Sequence, residues 1–534
     1  MALLSAENLQ KASPYAFLAL NFVRANWLYL LVGFYVVRAI RRRYFHPLSG
    51  FPGPFLGSIT SWYSVYVFFS KNYNMHLTEV ELHKKYGPVF RLKPDLLLCN
   101  DPKVLPKLFH KNADKAAFID IEIAGFGDSV LTARSSALHV RLKKRIAGAY
   151  SMTNIRRMES DIDILVLELI KQLDTRFATT GKACDFALWA QYFAYDVVAD
   201  VAFGKPLGFI EAGSDVGQLV ENFHRSLPAA GVMVRAHWLA DLLVKIPGFT
   251  YLMPKSGDTV GVGALMTFRD KLIKERIKEG NSGKKADLLY HFLNAKNADG
   301  TPMTFKEIGD ECYLILVAGS DTTAATIRYL IRNLIKPGNE AMLEKLHAEL
   351  SQANLTRPVP SYDELVKLPY LGAALYEAMR LNGLGMFIPR AISEPGLEVC
   401  GKFVPPGAGH AIAMTPWVVA RSKEVYGEDA EVFNPERWLG SEEEKRNLLR
   451  YDFGWGYGNR TCLGKSIAML EMTKVVACLL LGFDMRLMKE DEGVEYPNQL
   501  KNLSVWVEKG MWVELKRKEG IESMMFGQTE KVKA

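Results

Sequence analysis

The stretch WGYGNRTCLG, residues 455–464, places one cysteine, Cys462, two residues after Arg460 and among three glycines, Gly456, Gly458 and Gly464, with Gly454 just before it. Glycines permit positive φ and let the backbone approach a flat or bulky group with no Cβ in the way. Immediately afterwards comes LGKSIAMLEMTKVVACLLLG, a strongly apolar run of helical character. A thiol at the start of such a helix meets unpaired N–H groups and the positive end of the helix dipole, which favour the thiolate. That is how a metal-ligand cysteine is prepared, and Arg460 adds a charge useful to a thiolate or to carboxylates of a bound group.

Around this stretch the chain has ordinary globular composition. It has 534 residues, 49% hydrophobic and 23% charged, enough to bury a large core. The 66 basic and 59 acidic residues are interspersed, with a net charge of +7. That pattern argues against nucleic-acid binding and suits an acidic protein partner or an anionic membrane surface. The six cysteines form no CxxC pair, and the ten histidines form no HExxH or HxxxH, so neither a zinc site nor a disulfide framework is indicated.

Near the front, YAFLALNFVRANWLYLLVGFYVVRAI (15–40) is long and apolar enough to cross a bilayer, although Asn21, Arg24 and Asn26 interrupt it. It runs into Arg38, Arg41, Arg42 and Arg43 rather than a cleavage site, which predicts a retained anchor with its C-terminal side in the cytosol. Pro47, Pro52 and Pro54 then read as a stiff hinge. The expected organisation is a lumenal N-terminus (1–14), an anchor (15–40), a basic, proline-rich hinge (41–56), one catalytic domain (57–520) and a flexible tail (521–534).

The domain reads as mainly α with small antiparallel β-sheets. Strand pairs are expected at VFRL and LLLCN around a turn at Pro94-Asp95, and at SVWVE and MWVELK around Lys509-Gly510. A long helix is expected from the capping box of Thr304 and Glu307 to Lys336-Pro337-Gly338, a rod of roughly 45 Å. Its middle, AGSDTT (318–323), is rich in weak helix formers. This predicts either a local opening of the helix or simple back-bonding of the hydroxyls to the preceding turn. In the first case Asp321 can pass protons and Thr322 can hold a small polar ligand.

Residues 455–464 resemble the haem-binding loop FxxGxRxCxG of the cytochrome P-450 monooxygenases, with Gly458, Arg460, Cys462 and Gly464 in register. Three further motifs agree in order: AGSDTT with the family's AGxDTT, EAMR (377–380) with its ExxR, and FNPERW (433–438) with its PERF segment. With the anchor and hinge, the resemblance covers essentially the whole chain. The wording of the motifs is most similar to fungal pisatin demethylase-like members, which act in secondary metabolism.

The resemblance implies haem, iron protoporphyrin IX, with Cys462 as axial ligand to the iron. It implies that Asp321 and Thr322 supply protons for dioxygen chemistry, and that Glu377, Arg380 and Arg437 form a buried ion-pair network. Gly456, Gly458 and Gly464 would let the loop lie on the porphyrin, and Arg460 would meet its carboxylates. Trp455 replaces the family's Phe. The helix HVRLKKRIAGAY lacks the family's propionate-binding Trp, leaving His139, Lys143 and Lys144 as alternatives, while Arg390 is a further propionate candidate.

No GxGxxG follows a strand, so electrons are expected from a separate NADPH–cytochrome P-450 reductase. Lys143, Lys144, Arg145 and Lys465 are candidates for its docking face or, for the first two, for haem carboxylates. The expected function is NADPH- and O2-dependent oxidation of a hydrophobic small molecule at the endoplasmic reticulum membrane. Segments 118–127 and 223–249 are candidates for a pocket roof and access channel. The alternatives are a haem-thiolate isomerase or peroxygenase needing no reductase, and a non-catalytic haem-binding membrane protein.

Overall fold

The computed structural model describes residues 14–116, 127–280, 286–383, 386–492, 494 and 498–519. The candidate roof 118–127 therefore lies outside the described residues except for Gly127, and the expected tail lies wholly outside them. Helices that frame the site are α1 (Pro14–Tyr44), α2 (Trp62–Tyr73), α3 (Met75–Tyr86), α4 (Ser136–Ile146), α5 (Glu159–Leu173), α6 (Phe186–Phe203), α7 (Leu219–Arg235), α8 (His237–Leu243), α9 (Gly261–Glu279), α10 (Phe305–Ile335), α11 (Pro369–Leu381) and α12 (Lys465–Gly482).

Helix α10 crosses the core and begins with the expected capping box of Thr304 and Glu307. Its AGSDTT segment stays helical. Ser320 Oγ donates to Leu316 O (2.9 Å), Thr322 Oγ1 to Ala318 O (2.7 Å) and Thr326 Oγ1 to Thr322 O (3.1 Å), so the hydroxyls are absorbed by the preceding turn. Of the two expectations, back-bonding is the one observed. Gly319 serves packing: a Cβ there would meet Val198 Cγ2 at 2.5 Å, so its absence lets α6 lie directly on α10. Helices α5, α6, α10, α11 and α12 pack into one apolar core.

The larger sheet has the order β1 (Val89–Lys93), β2 (Leu96–Cys99), β7 (Gly407–Met414), β4 (Ile388–Ile392). The β1–β2 pair is antiparallel as expected, whereas β2 and β7 run parallel. The hairpin expected at Lys509-Gly510 does not form. Strand β10 (Trp506–Lys509) pairs with β9 (Gln499–Asn502), and β11 (Trp512–Arg517) pairs with β8 (Phe483–Leu487) and β3 (Cys184–Asp185). The Asp185 carboxylate takes the N–H groups of Gly510 (3.0 Å) and Met511 (3.1 Å), drawing β11 away from β10. Strands β5 (Leu397–Val399) and β6 (Lys402–Val404) form a separate hairpin.

Helix α1 is long and apolar enough to span a membrane, and its Leu18–Tyr44 portion is not buried by the domain. Asn26 Nδ2 donates to Phe22 O (2.9 Å), which masks one polar interruption within the helix. The helix continues through Arg41, Arg42 and Arg43, and Arg42 is tied to the domain: its Nη1 donates to Ile59 O (2.9 Å), while its carbonyl accepts from Arg91 Nη2 (2.8 Å). Beside this junction, Trp62 and Trp238 touch edge-on (6.1 Å between ring centres) amid exposed Tyr66, Phe69, Leu242 and Ile246.

Candidate active site

The cysteine loop is closed by its own backbone, with Cys462 N donating to Trp455 O at 2.8 Å. Gly456 (φ 76°) and Gly458 (φ 64°) occupy the left-handed region, and a Cβ on Gly458 would stand 2.5 Å from Phe109 O. Gly464 has φ −74° and caps α12, so the helix begins at Lys465, three residues after the thiol. Cys462 is solvent-accessible but has protein around it, and burial pushes its thiol up against the pull of the Gly464 and Lys465 N–H groups. Trp455 is buried, and its indole Nε1 finds no hydrogen-bond acceptor among the described residues.

Beside the loop stands a group of cations drawn from distant segments. Residues 114–116 pair with the edge of β4: Ala391 N donates to Asp114 O (3.1 Å) and Ala116 N to Pro389 O (3.4 Å), which sets Lys115 next to Arg390, while Lys115 N donates to Arg134 O (2.9 Å). Arg390 is buried against the Phe109 ring (4.5 Å). Arg460 donates to Ala133 O (2.7 Å) and Arg134 O (2.9 Å), and Lys143 Nζ to Asn459 O (2.8 Å). Burial, reinforced by Arg460, lowers Arg390 to about 9. Lys115 is driven well down by burial and then by Arg460 and Arg390, and His139 to about 4 by burial and then by Arg460, Lys143, Lys115 and Arg390. Arg460 is lowered to about 10 by burial, with Asp114 the carboxylate that opposes this. Lys115, Arg390, Arg460 and Lys143 thus gather around His139, which burial and these neighbours hold neutral, with little acid to balance them.

On α11 (Pro369–Leu381) the charges are balanced. Glu377 accepts from Arg380 Nε and Nη2 (2.8 and 2.7 Å), Asn434 N (2.9 Å) and Trp438 Nε1 (2.9 Å), with Arg437 Nε at 3.5 Å. Arg380 also donates to the carbonyls of Ala420, Ala430 and Val432, and Arg437 pairs with Asp429 (2.9 Å). Residues Glu377, Arg380 and Arg437 therefore meet, as their motifs imply.

Midway along α10, Ala318 is exposed and Val317, Gly319 and Thr322 are half-buried, although most of the helix is enclosed. One helical step from Thr322, Asp321 turns into the core and is fully buried. Its carboxylate accepts from Gln191 Nε2 of α6 and lies 3.1 and 3.2 Å from His224 Nε2 of α7. Arg328 Nη1 completes the group by donating to Gln191 Oε1 (3.1 Å).

A family model described as Cytochrome P450 matches residues 51–512. The chain belongs to the cytochrome P450 family. Among its relatives, quiannulatic acid synthase of Emericella variicolor is 32% identical over 465 residues, covering 83% of this chain and 88% of that protein. Cytochrome P450 monooxygenase asR2 of Sarocladium schorii is 31% identical, covering 86% of this chain and 92% of its own length. Cytochrome P450 monooxygenase gsfF of Penicillium aethiopicum is 30% identical, covering 88% and 94%. This P450 is a monooxygenase related to enzymes of fungal secondary metabolism.

Haem is the cofactor this family implies, and the residues present fit it. The under-neutralised cations match the propionates of a porphyrin, and the thiol raised by burial matches a site where a metal, rather than water, stabilises the thiolate. Of the alternatives on α4, His139 and Lys143 face this cluster while Lys144 is exposed. Arg145 is unavailable to a docking face: it pairs with Glu307 (2.5 Å) and donates to Asn297 Oδ1 (3.0 Å). Lys465 stays exposed, over the Trp455 ring at 5.6 Å.

Lys115, His224 and Gln191 escaped the sequence reading. Lys115 lies in an unremarkable loop, and His224 is one histidine in an apolar helix. Only their spatial neighbours mark them, and no local pattern of residues could have done so.

Proposed function

We propose that this P450 uses electrons from NADPH, delivered by a separate flavoprotein reductase, and dioxygen to oxidise a hydrophobic small molecule by hydroxylation, epoxidation or successive oxidations. The observation that carries this reading is the accessible Cys462 thiol beside the basic side chains of Arg390, Arg460, Lys115 and Lys143, which have little acid among them. Cys462 would ligate the iron, and Arg390, Arg460, Lys115, Lys143 and His139 would hold the propionates. Haem bound through a thiolate supplies the oxygen-activating chemistry.

The remaining work falls to the protein's own groups. Gly456 and Gly458 give the loop its left-handed turns, and Trp455 anchors it in the apolar core. Asp321, shared between Gln191 and His224, would hold a proton beside Thr322, whose hydroxyl rests on Ala318 O and can turn outward. Glu377, Arg380 and Arg437 would hold the segment leading to the cysteine loop.

Exposed Lys144 and Lys465 would meet an acidic reductase surface. Helix α1 and the tryptophan-rich patch near residue 62 would hold the domain on the endoplasmic reticulum membrane, where an apolar substrate concentrates. The test is expression in microsomes with reductase. Wild-type protein should show the red-shifted Soret band of a thiolate-ligated, reduced carbon monoxide complex, and substrate-dependent NADPH oxidation. Cys462→Ser should lose the shifted band; its retention would remove Cys462 as ligand.

A further inference from the structure

The end of α7 carries a charge that the fold does not balance. Arg235 is 1% exposed, and among the described residues no carboxylate lies within ion-pair distance of it. Its Nη1 donates to Gly231 O (3.0 Å) within its own helix, its Nη2 meets the Met75 sulfur (2.8 Å), and its Nε has no partner. The guanidinium stacks over the Phe68 ring at 4.0 Å, with Phe387 at 5.3 Å. Burial lowers its pKa to about 9. A thioether and two aromatic rings return only part of what desolvating a guanidinium costs, whereas a carboxylate matches its planar fork in two hydrogen bonds.

Its position along α7 places this charge in the catalytic frame. His224, on the same helix, reaches Asp321, and Arg235 lies eleven residues further on. That is roughly three turns, so both residues share one helix face about 16 Å apart. Phe387 immediately precedes β4, whose Arg390 joins the cation cluster. Arg235 therefore ends the helix that serves Asp321 and stacks near Phe387, the residue before the strand that carries Arg390. Met75, which covers the guanidinium, is unbranched and has freely rotating bonds, and it follows three non-glycine residues with positive φ, Lys71, Asn72 and Tyr73.

We propose that Arg235 is the anchor for a carboxylate on the substrate, so that this enzyme takes an amphiphilic acid with its apolar body directed toward the Cys462 side. The assignment rests on the monooxygenase reading above, which takes a hydrophobic small molecule as the substrate. Binding of a carboxylate would displace the Met75 sulfur and pair the free Nε and Nη2 with the two carboxylate oxygens.

The probes are dodecanoate, its methyl ester and dodecan-1-ol, titrated into detergent-solubilised holoenzyme. Binding is followed by the shift of the haem absorption and, independently, by thermal stabilisation. Wild-type protein should bind the acid at least about tenfold more tightly than the ester or alcohol. Arg235→Met should abolish that preference while leaving ester binding within about twofold, and Arg235→Lys should keep part of it. No preference of the wild type for the acid overturns the proposal, and so does a preference that survives in Arg235→Met. If Arg235→Met does not retain haem, the wild-type comparison of acid, ester and alcohol decides alone. A normal carbon monoxide spectrum with no acid preference would sink this inference and leave the haem-thiolate reading standing.

Discussion

Two buried charge groups flank the same cysteine loop and are built on opposite principles. Around Glu377 one carboxylate is met by two guanidinium groups, an indole N–H and a backbone N–H, and Arg380 spends its remaining donors on carbonyls. Around a neutral His139 the cations Arg390, Arg460, Lys115 and Lys143 converge, with Asp114 as the carboxylate that opposes their repulsion. The first group is complete as the protein alone. The second lacks acid of its own and is open to an anionic ligand, the role proposed for it above. A buried charge left unbalanced costs stability, so a fold that keeps one keeps it for something that arrives later.

That contrast can be broken at its complete end first. Glu377→Ala strands the buried Arg380 guanidinium, while Arg437 keeps Asp429, and is expected to cost about 3–5 kcal/mol, whether or not haem is bound. The measurement is the urea midpoint of the apoprotein and holoprotein. A loss confined to the holoprotein would show that the network needs haem after all.

Arg390→Met should behave in the opposite way. Removing one mutually repelled cation leaves the apoprotein as stable as before or slightly more so, while haem transfers to a scavenger about tenfold faster. Equal destabilisation of both forms would mean that the cluster is a structural element and not a propionate site.

Glu79 offers an intermediate case, a buried acid with few partners. Burial lifts its carboxyl from the usual 4.5 to about 7, and the hydrogen bond from Thr415 Oγ1 (2.7 Å) opposes this only in part. The folded chain holds this proton between pH 4.5 and about 7 where the unfolded chain has released it. Stability therefore falls as pH rises through that window, and the loss is complete above it. Glu79→Gln should raise the unfolding free energy at pH 8 by roughly 1–3 kcal/mol and leave it unchanged near pH 4. A gain that does not fade with acid would assign the effect to packing.

The smallest change expected is Trp455→Phe. It removes a buried N–H with no acceptor among the described residues, at the expense of ring volume, for a net effect within about 1 kcal/mol in the apoprotein. If the holoprotein alone is weakened and its reduction potential shifts, the indole has found the thiolate as its partner.

How far residue order carried depended on the range of the interaction. The cysteine loop, EAMR and the capping box were legible because each holds its chemistry within a few positions: a thiol before a helix, an acid and a base one turn apart, and Thr304 three residues before Glu307. The hairpin at Lys509-Gly510 was misread because a β-turn signal is local, while Asp185, over three hundred residues earlier, captures the turn's N–H groups. The weak helix formers of AGSDTT were legible as a special place, but their hydroxyls turned out to bond back to the preceding turn, and Gly319 proved to be a packing contact with Val198.

Residue identities and spacing were enough to settle the class of chemistry, the mainly helical fold and the ligand cysteine to expect, since these follow from side-chain type and helical or strand period. They also placed an apolar segment in front of the domain. Which cations gather around Arg390, why Arg145 is lost to Glu307, that His224 serves Asp321 and that Arg235 has no counter-ion were all decided by the fold. Electrostatic forces and desolvation act through space, and their outcome depends on which distant segments are brought within a few ångströms of one another and shut away from water.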